Sequence, residues 1–220
     1  EQRIRRMKYI SPHLKQSSHI LEVGCSSGFM LYPLIDDGHV CWGVEPSGVF
    51  SEYVKSRGMP CFESMEVLKA ESNQDETFDI IMHFFVLGHI ANPLDFLTNQ
   101  LQLLKPGGKL IVEIPNAADP LYTIYDIPEF DKFYWSVAHH WYFTEKSFGY
   151  LLGKLGLSYE FVRDQRYDLS NHMIWARDGK PGGMNKYTEF FGQEIENQYK
   201  DALIKSGHCD TLVAIISKDT

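Results

Sequence analysis

The sequence predicts an α/β protein built on a doubly wound, mostly parallel sheet. Three observations predict it. The apolar run Ile20-Leu21-Glu22-Val23 opens into the small-residue loop Gly24-Cys25-Ser26-Ser27-Gly28. A second apolar run, Val40 to Val44, closes on an acid, Glu45. Strand-like and helix-like segments alternate from Ile20 onward, the pattern of βαβ units.

Taken in order, residues 3–16 read as a helix interrupted near Ser11-Pro12, followed by a strand at Ile20–Val23 and a helix over 28–36. Val40–Glu45 is the next strand, Ser47–Arg57 a helix and Met59–Phe62 a short strand. Phe78–Val86 is a mainly apolar run, long enough for a central buried strand. Leu94, Leu97, Leu101 and Leu104 recur at helical spacing, and Lys105-Pro106-Gly107-Gly108 ends that helix before a strand at Lys109–Ile114. An aromatic-rich stretch without steady periodicity follows and reads as an irregular lid. Thr144 is placed to cap a helix carrying Phe148, Leu151, Leu152 and Leu155, which Gly156 terminates before a strand at Leu157–Val162. Tyr187, Phe191, Ile195 and Tyr199 mark one amphipathic helix, and Thr211–Ile216 is the last strand.

Gly24 and Gly28 can adopt backbone angles closed to other residues and let a ligand approach the main chain, and Cys25 and Ser26 between them are nearly as small. Free amides at the start of the following helix favour polar ligand groups. Glu45, about 20 residues beyond the loop, is suited to accept both hydroxyls of a ribose. Parallel α/β proteins also use small residues at such turns for packing, and an acid can simply solvate a strand end. Loop and acid together point to a nucleoside-type ligand at the carboxyl edge of the sheet.

With 220 residues the chain can bury a sizeable core, and we expect one domain over 1–220 with lid-like insertions around 115–143 and 167–208. Lys plus Arg of 21 against Asp plus Glu of 29 gives a net charge of 21 − 29 = −8, which disfavours a phosphate-backbone surface, so no nucleic-acid partner is expected. Arg3, Arg5, Arg6 and Lys8 are expected on the solvated face of the first helix. Cys25, Cys41, Cys61 and Cys209 lack metal-site spacing and fit reduced thiols in a cytoplasmic protein. No apolar stretch is long enough for membrane insertion.

Glu22-Val23-Gly24-Cys25-Ser26-Ser27-Gly28, Glu45, the segment Thr77 to Pro93 and the turn Leu104 to Leu110 occur in an order that resembles the class I S-adenosylmethionine-dependent methyltransferases. The resemblance implies a Rossmann-like methyltransferase fold: a seven-stranded sheet with an antiparallel C-terminal strand pair and an aromatic lid. It implies S-adenosyl-L-methionine as cofactor and S-adenosyl-L-homocysteine as product. Glu22, Gly24 and Gly28, with Cys25 and Ser26 in the same loop, would surround the amino-acid part of the cofactor, Phe29 would lie beside it and Glu45 would hold the ribose. Pro46 and Ser47 would flank the adenine, Ser64 and Met65 would edge it, and His83, Phe84 and Phe85 would supply backbone and ring contacts. Ser26 stands where a central glycine is common in the family. Gly88 stands where many relatives carry the Glu of Leu-Glu-His, which weakens a metal-dependent reading, and no metal site is expected. His89 reads as a helix-start or core histidine.

The stretch Arg166 to Trp175, with the glycines of 179–183, is similar to methyltransferases of surface-polysaccharide and nucleotide-sugar pathways. We therefore expect a small-molecule acceptor, a sugar or sugar-linked metabolite methylated on oxygen. A hydroxyl acceptor calls for a base, and His139 and His140 are the candidates, at most one of them facing the methyl if the segment is extended. His139 best fits the family's His-x-x-x-Phe-Thr pattern. Tyr122, Tyr125, Tyr134 and Trp135 are candidate substrate-stacking rings. The alternatives are a non-catalytic cofactor-binding scaffold of the same fold and an NAD-dependent oxidoreductase, although Phe29 follows Gly28 where the dinucleotide fingerprint differs.

Overall fold

The apolar runs pair into a seven-stranded sheet in the computed structural model, which describes residues 1–72 and 77–219. The strands are β1 (His19–Val23), β2 (Val40–Val44), β3 (Cys61–Phe62), β4 (Phe78–Phe84), β5 (Leu104–Pro115), β6 (Tyr159–Asp164) and β7 (Thr211–Ser217). Their order is β3-β2-β1-β4-β5-β7-β6; the first five run parallel, and β7 is antiparallel to both β5 and β6. The winding reverses between β1 and β4, and the crevice beyond the carboxyl ends of such a pair is where open α/β sheets bind ligands.

The helices are α1 (Gln2–Ile10), α2 (Leu31–Asp36), α3 (Gly48–Ser56), α4 (Met65–Ser72), α5 (Pro93–Leu103), α6 (Pro120–Thr123), α7 (Pro128–Tyr134), α8 (Glu145–Gly153), α9 (Leu169–Asp178), α10 (Thr188–Phe191) and α11 (Gln193–Ser206). Successive strand residues point to opposite faces, so the sheet carries two apolar layers. Leu21, Val23, Ile81, Leu110 and Val112 pack with Leu68, Leu97, Phe148 and Leu152 of α4, α5 and α8. Ile20, Cys41, Ile80, Met82 and Ile111 pack with Tyr9, Ile10, Leu31, Leu34 and Val54 of α1, α2 and α3.

Several boundaries differ from the sequence expectation, each for a local reason. α2 begins at Leu31 because Gly28 sits at φ +76°, outside helical space. The expected stop at Lys105-Pro106-Gly107-Gly108 lies inside β5 as a bulge: Phe78 pairs with Leu104 and Ile80 with Lys109. β6 starts at Tyr159, after Gly156 has turned the chain at φ +70°. Gly192, at φ +86°, breaks the expected single helix into α10 and α11. α9 was not anticipated, yet it carries its own signals: the Asp168 carboxylate accepts from the Asn171 amide at 2.7 Å, and Gly179 closes the helix in the left-handed region. α8 has the expected cap, with the Thr144 hydroxyl accepting from the Ser147 amide and the Ser147 side chain from that of Thr144.

The basic cluster of α1 is the main correction. Arg6 is buried and Arg5 half-buried, and both face the sheet rather than solvent. Glu113, fully buried on β5, accepts from Arg5 Nη2 at 2.8 Å, from Arg6 Nε at 3.1 Å and from the Tyr9 hydroxyl. Arg5 also reaches Asp164 of β6 at 2.5 Å. Burial pushes the Glu113 carboxyl up, and the two guanidinia together outweigh it and hold the group below the ordinary carboxylate range. A carboxylate removed from water at this depth demands paired countercharges, and α1 supplies them.

Candidate active site

The carboxyl ends of β1, β2 and β4 border a cleft of ~710 Å³ whose walls include Gly24, Glu45, Pro46, Ser64, Met65, Val86 and His89. The Gly24 amide donates to Val44 O at 2.7 Å, which fixes the loop against β2. Gly24 is at φ +76°, and a Cβ there would lie 2.7 Å from Val86 Cγ2. The bare backbone thus lets Val86 close in and still leaves Gly24 on the cleft wall. Gly28, also at φ +76°, would place a Cβ 2.8 Å from Tyr32 Cε2.

Glu45 is almost fully buried and oriented by the backbone on both oxygens: Oε2 accepts from the Ser26 amide at 2.8 Å and Oε1 from the Ser47 amide at 2.9 Å. Ser26 holds φ +49° to make that contact, which explains why a glycine would suit the position. Glu22, at the end of β1, is 2 % exposed, and its Oε2 finds no hydrogen-bond partner among the described residues. Burial pushes its carboxyl up to about 8; Arg6 pulls it down and Glu45 pushes it further up.

The remaining expected cofactor residues divide into groups. Cys25 turns its thiol inward, 3.9 Å from Cys61 Sγ, where it occupies the space that a side chain at Gly43 would need. Phe29, Phe84 and Phe85 lie on the α1 side of the loop around Arg6, whose guanidinium is 4.0 Å from the Phe84 ring centre and 5.9 Å from each of the other two. None of these three rings lines the cleft. His83 is fully buried against Phe96 with neither ring nitrogen partnered among the described residues, and burial alone lowers its pKa to about 3, so it is neutral. Its imidazole is core packing, not cleft wall.

His139 and His140 have different surroundings. His140 is exposed and contributes its backbone amide, which donates to Gly88 O at 2.8 Å. His139 stacks on His89 with ring centres 4.1 Å apart, and burial first, then His89, lowers its pKa from the ordinary value. His89 is the functional candidate that sequence reasoning missed, since it lines the cleft and links it to His139. The signal lay in Gly88: a Cβ there would come 2.8 Å from His139 Cδ2, so the missing side chain is what admits the ring.

Of the expected stacking rings, Trp135 meets Tyr122, Tyr134 and Tyr142 edge-on, Tyr134 donates its hydroxyl to Asn116 O at 2.9 Å, and the Tyr125 hydroxyl meets that of Tyr199 at 2.7 Å. Tyr122, Tyr134 and Trp135 thus belong to one connected aromatic group, whereas Tyr125 packs with His172 and Tyr199, and none of the four lines the cleft.

A sequence profile for the family described as methyltransferase domain matches residues 2–160. The chain belongs to this methyltransferase family. Among curated relatives it is similar to a ubiquinone biosynthesis O-methyltransferase of Rhizobium etli, 28% identical over 110 residues that cover 48% of this chain and 44% of that protein. It is also similar to a tRNA U34 carboxymethyltransferase of Hydrogenovibrio crunogenus, 29% identical over 51% of this chain and 38% of that one. The chain therefore spans less than half the length of these relatives. A solved S-adenosylmethionine-dependent methyltransferase from Archaeoglobus fulgidus has the same fold at a TM-score of 0.65 and 16% identity, over 97% of this chain and 92% of that one.

The family resemblance implies S-adenosyl-L-methionine as the cofactor, and the residues present fit it. Glu22 offers an unpartnered carboxylate oxygen, two positive-φ glycines leave the loop backbone bare, and Glu45 stands fixed at the rim. Neither the dinucleotide nor the scaffold alternative is favoured by the family match. Among the described residues no helix is long and apolar enough to cross a membrane, and no group of three or more His, Cys, Asp or Glu is arranged to hold a metal ion.

Proposed function

We propose that this methyltransferase methylates a hydroxyl of a small molecule, of the sugar or sugar-linked kind, and that the observation carrying this reading is the His89–His139 stack beside the cleft. When bound, S-adenosylmethionine supplies an already activated methyl group. Glu22 and the Gly24–Gly28 loop hold its amino-acid end, Glu45 takes the ribose hydroxyls, and Pro46, Ser64 and Met65 enclose the adenine.

What remains for the protein is alignment, exclusion of water and removal of one proton from the acceptor. The histidine pair is suited to the last task. Burial and the neighbouring His89 lower the His139 pKa, which favours its free-base form, and a positioned general base contributes roughly 10²–10⁴-fold. His140 has no such role, since its ring faces solvent. Tyr122, Tyr125 and Trp135, each partly exposed, offer ring faces on which a sugar can stack.

A relative that acts as an O-methyltransferase supports oxygen as the acceptor atom. A relative that acts on tRNA keeps RNA in view, but a net charge of −8 opposes binding a phosphate backbone. The test offers methyl-labelled cofactor with sugar nucleotides, simple phenols and bulk tRNA in parallel. Label in an alkali-stable ether of the sugar is expected; label only in phenol rejects the sugar, and label only in tRNA rejects the small-molecule reading altogether.

A further inference from the structure

Tyr142 shares one hydroxyl among four groups, of which Ser136 O, at 3.5 Å, is the most distant. The Ser136 amide donates to Oη at 2.6 Å, Oη lies 2.7 Å from Tyr134 O, and His139 Nδ1 lies 3.2 Å away. A carbonyl oxygen only accepts, so the single phenolic proton goes to Tyr134 O, the shorter contact. Both lone pairs then face donors: one takes Ser136 N–H, and the other requires a hydrogen on His139 Nδ1. We infer that Tyr142 is a positioning residue that holds His139 as its Nδ1–H tautomer, leaving Nε2 as the proton acceptor; this rests on the methyl-transfer reading above.

His89 repeats the arrangement independently. Its Nδ1 lies 2.9 Å from Ala138 O, again an acceptor only, so the neutral tautomer of His89 also carries its hydrogen on Nδ1 and has its lone pair on Nε2. The two segments are stitched together, since Gly88 O accepts from the amides of both His140 and Trp141, at 2.8 and 3.2 Å. Two stacked imidazoles with the same polarity result, each anchored through Nδ1 to the backbone framework or to a phenol that the framework holds.

Gly88 completes the device. Its φ is not positive, so glycine is there for space and not for conformation. A Cβ at this position would stand 2.8 Å from His139 Cδ2, 3.7 Å from Nε2 and 3.1 Å from Trp141 O. The Cδ2–Nε2 edge of His139 therefore faces the Leu87–His89 turn, whose last residue forms part of the cleft wall. A proton taken from an acceptor hydroxyl ends on an Nε2 of this pair. The departing charge stays local, because the Nδ1 hydrogens are already committed to Tyr142 Oη and Ala138 O.

The test is a two-bond 1H–15N correlation spectrum of the full chain labelled at histidine nitrogens, at a pH where His139 is neutral, with His139→Ala assigning its signals. The expected wild-type pattern is Nδ1–H for both His89 and His139. Tyr142→Phe should move His139 toward the Nε2–H tautomer, leave that of His89 in place, and lower kcat on the order of 10–100-fold with the KM for S-adenosylmethionine unchanged. An Nε2–H pattern for His139 in the wild type overturns the inference, and so does a Tyr142→Phe spectrum identical to it. If Tyr142→Phe does not fold, the wild-type spectrum alone decides, and Gly88→Ala supplies the second variant, expected to abolish the ring-current shift between the two imidazoles. Full turnover in His139→Ala would remove the base from the functional reading while leaving the tautomer assignment to stand or fall on the spectra.

Discussion

Glu22 should release a proton when the cofactor binds. Its carboxyl is buried and carries a pKa of about 8, with Oε2 unpartnered. A group with that pKa is about 90% protonated at pH 7, and a ligand ammonium arriving beside it drives it to the charged form, so about 0.9 proton leaves per cofactor bound. The same linkage makes binding roughly 50-fold tighter at pH 8 than at pH 6. In the ligand-free protein the sign is opposite. The folded pKa lies above the ordinary 4.5, so the stabilising share of Glu22 is full below that pH and is lost as the pH rises toward 8. The assay is calorimetric titration with S-adenosylhomocysteine at pH 7 in two buffers of different ionisation enthalpy. Glu22→Gln, which has the same shape and no titration, should abolish the proton release. Buffer-independent enthalpy in the wild type, or release retained in Glu22→Gln, would refute the reasoning.

Other consequences follow from the same geometry. Glu45→Ala frees the amides of Ser26 and Ser47 and removes the ribose anchor, and should weaken S-adenosylhomocysteine binding on the order of 100-fold by calorimetry, two charge-assisted hydrogen bonds being at stake. Gly28→Ala meets Tyr32 at 2.8 Å in the left-handed region and should cost about 1–3 kcal/mol in urea denaturation. Glu113→Gln leaves Arg6 buried without its countercharge and should cost about 3–5 kcal/mol; because the Glu113 pKa is lowered, the wild type holds this contribution above the ordinary carboxylate pKa and loses it on acidification, so the variant's acid-unfolding curve should be flatter. His139→Ala should leave cofactor affinity intact while kcat falls roughly 10²–10⁴-fold, and the acid limb of the wild-type kcat/KM profile should have its midpoint below 6.5, since the His139 pKa is lowered.

Strand content was legible because central parallel strands are apolar on both faces and end abruptly: Ile20–Val23, Val40–Val44 and Phe78–Phe84 stand out from their flanks. The acids Glu22 and Glu45 could be placed because each terminates such a run. Arg5 and Arg6 were misread as solvated because their partners, Glu113 and Asp164, sit on strands more than a hundred residues away, and local pattern carries no trace of them. The cluster of Phe29, Phe84 and Phe85 around Arg6 is equally invisible in local pattern, because the guanidinium that gathers the three rings comes from α1. His89 was passed over because a histidine at a helix start has an ordinary local explanation. Only its stack with His139, 50 positions on, changes that.

The attachment of α1 also constrains vectorial synthesis. Arg5 bonds to residues 108 and 159 positions downstream, so a nascent chain leaving the ribosome carries α1 without its full set of partners until both β5 and β6 have emerged. α1 is made well before the strands it docks on, and it settles only after them. Until then the carboxylate of Glu113 must remain hydrated, and the central sheet cannot close over it.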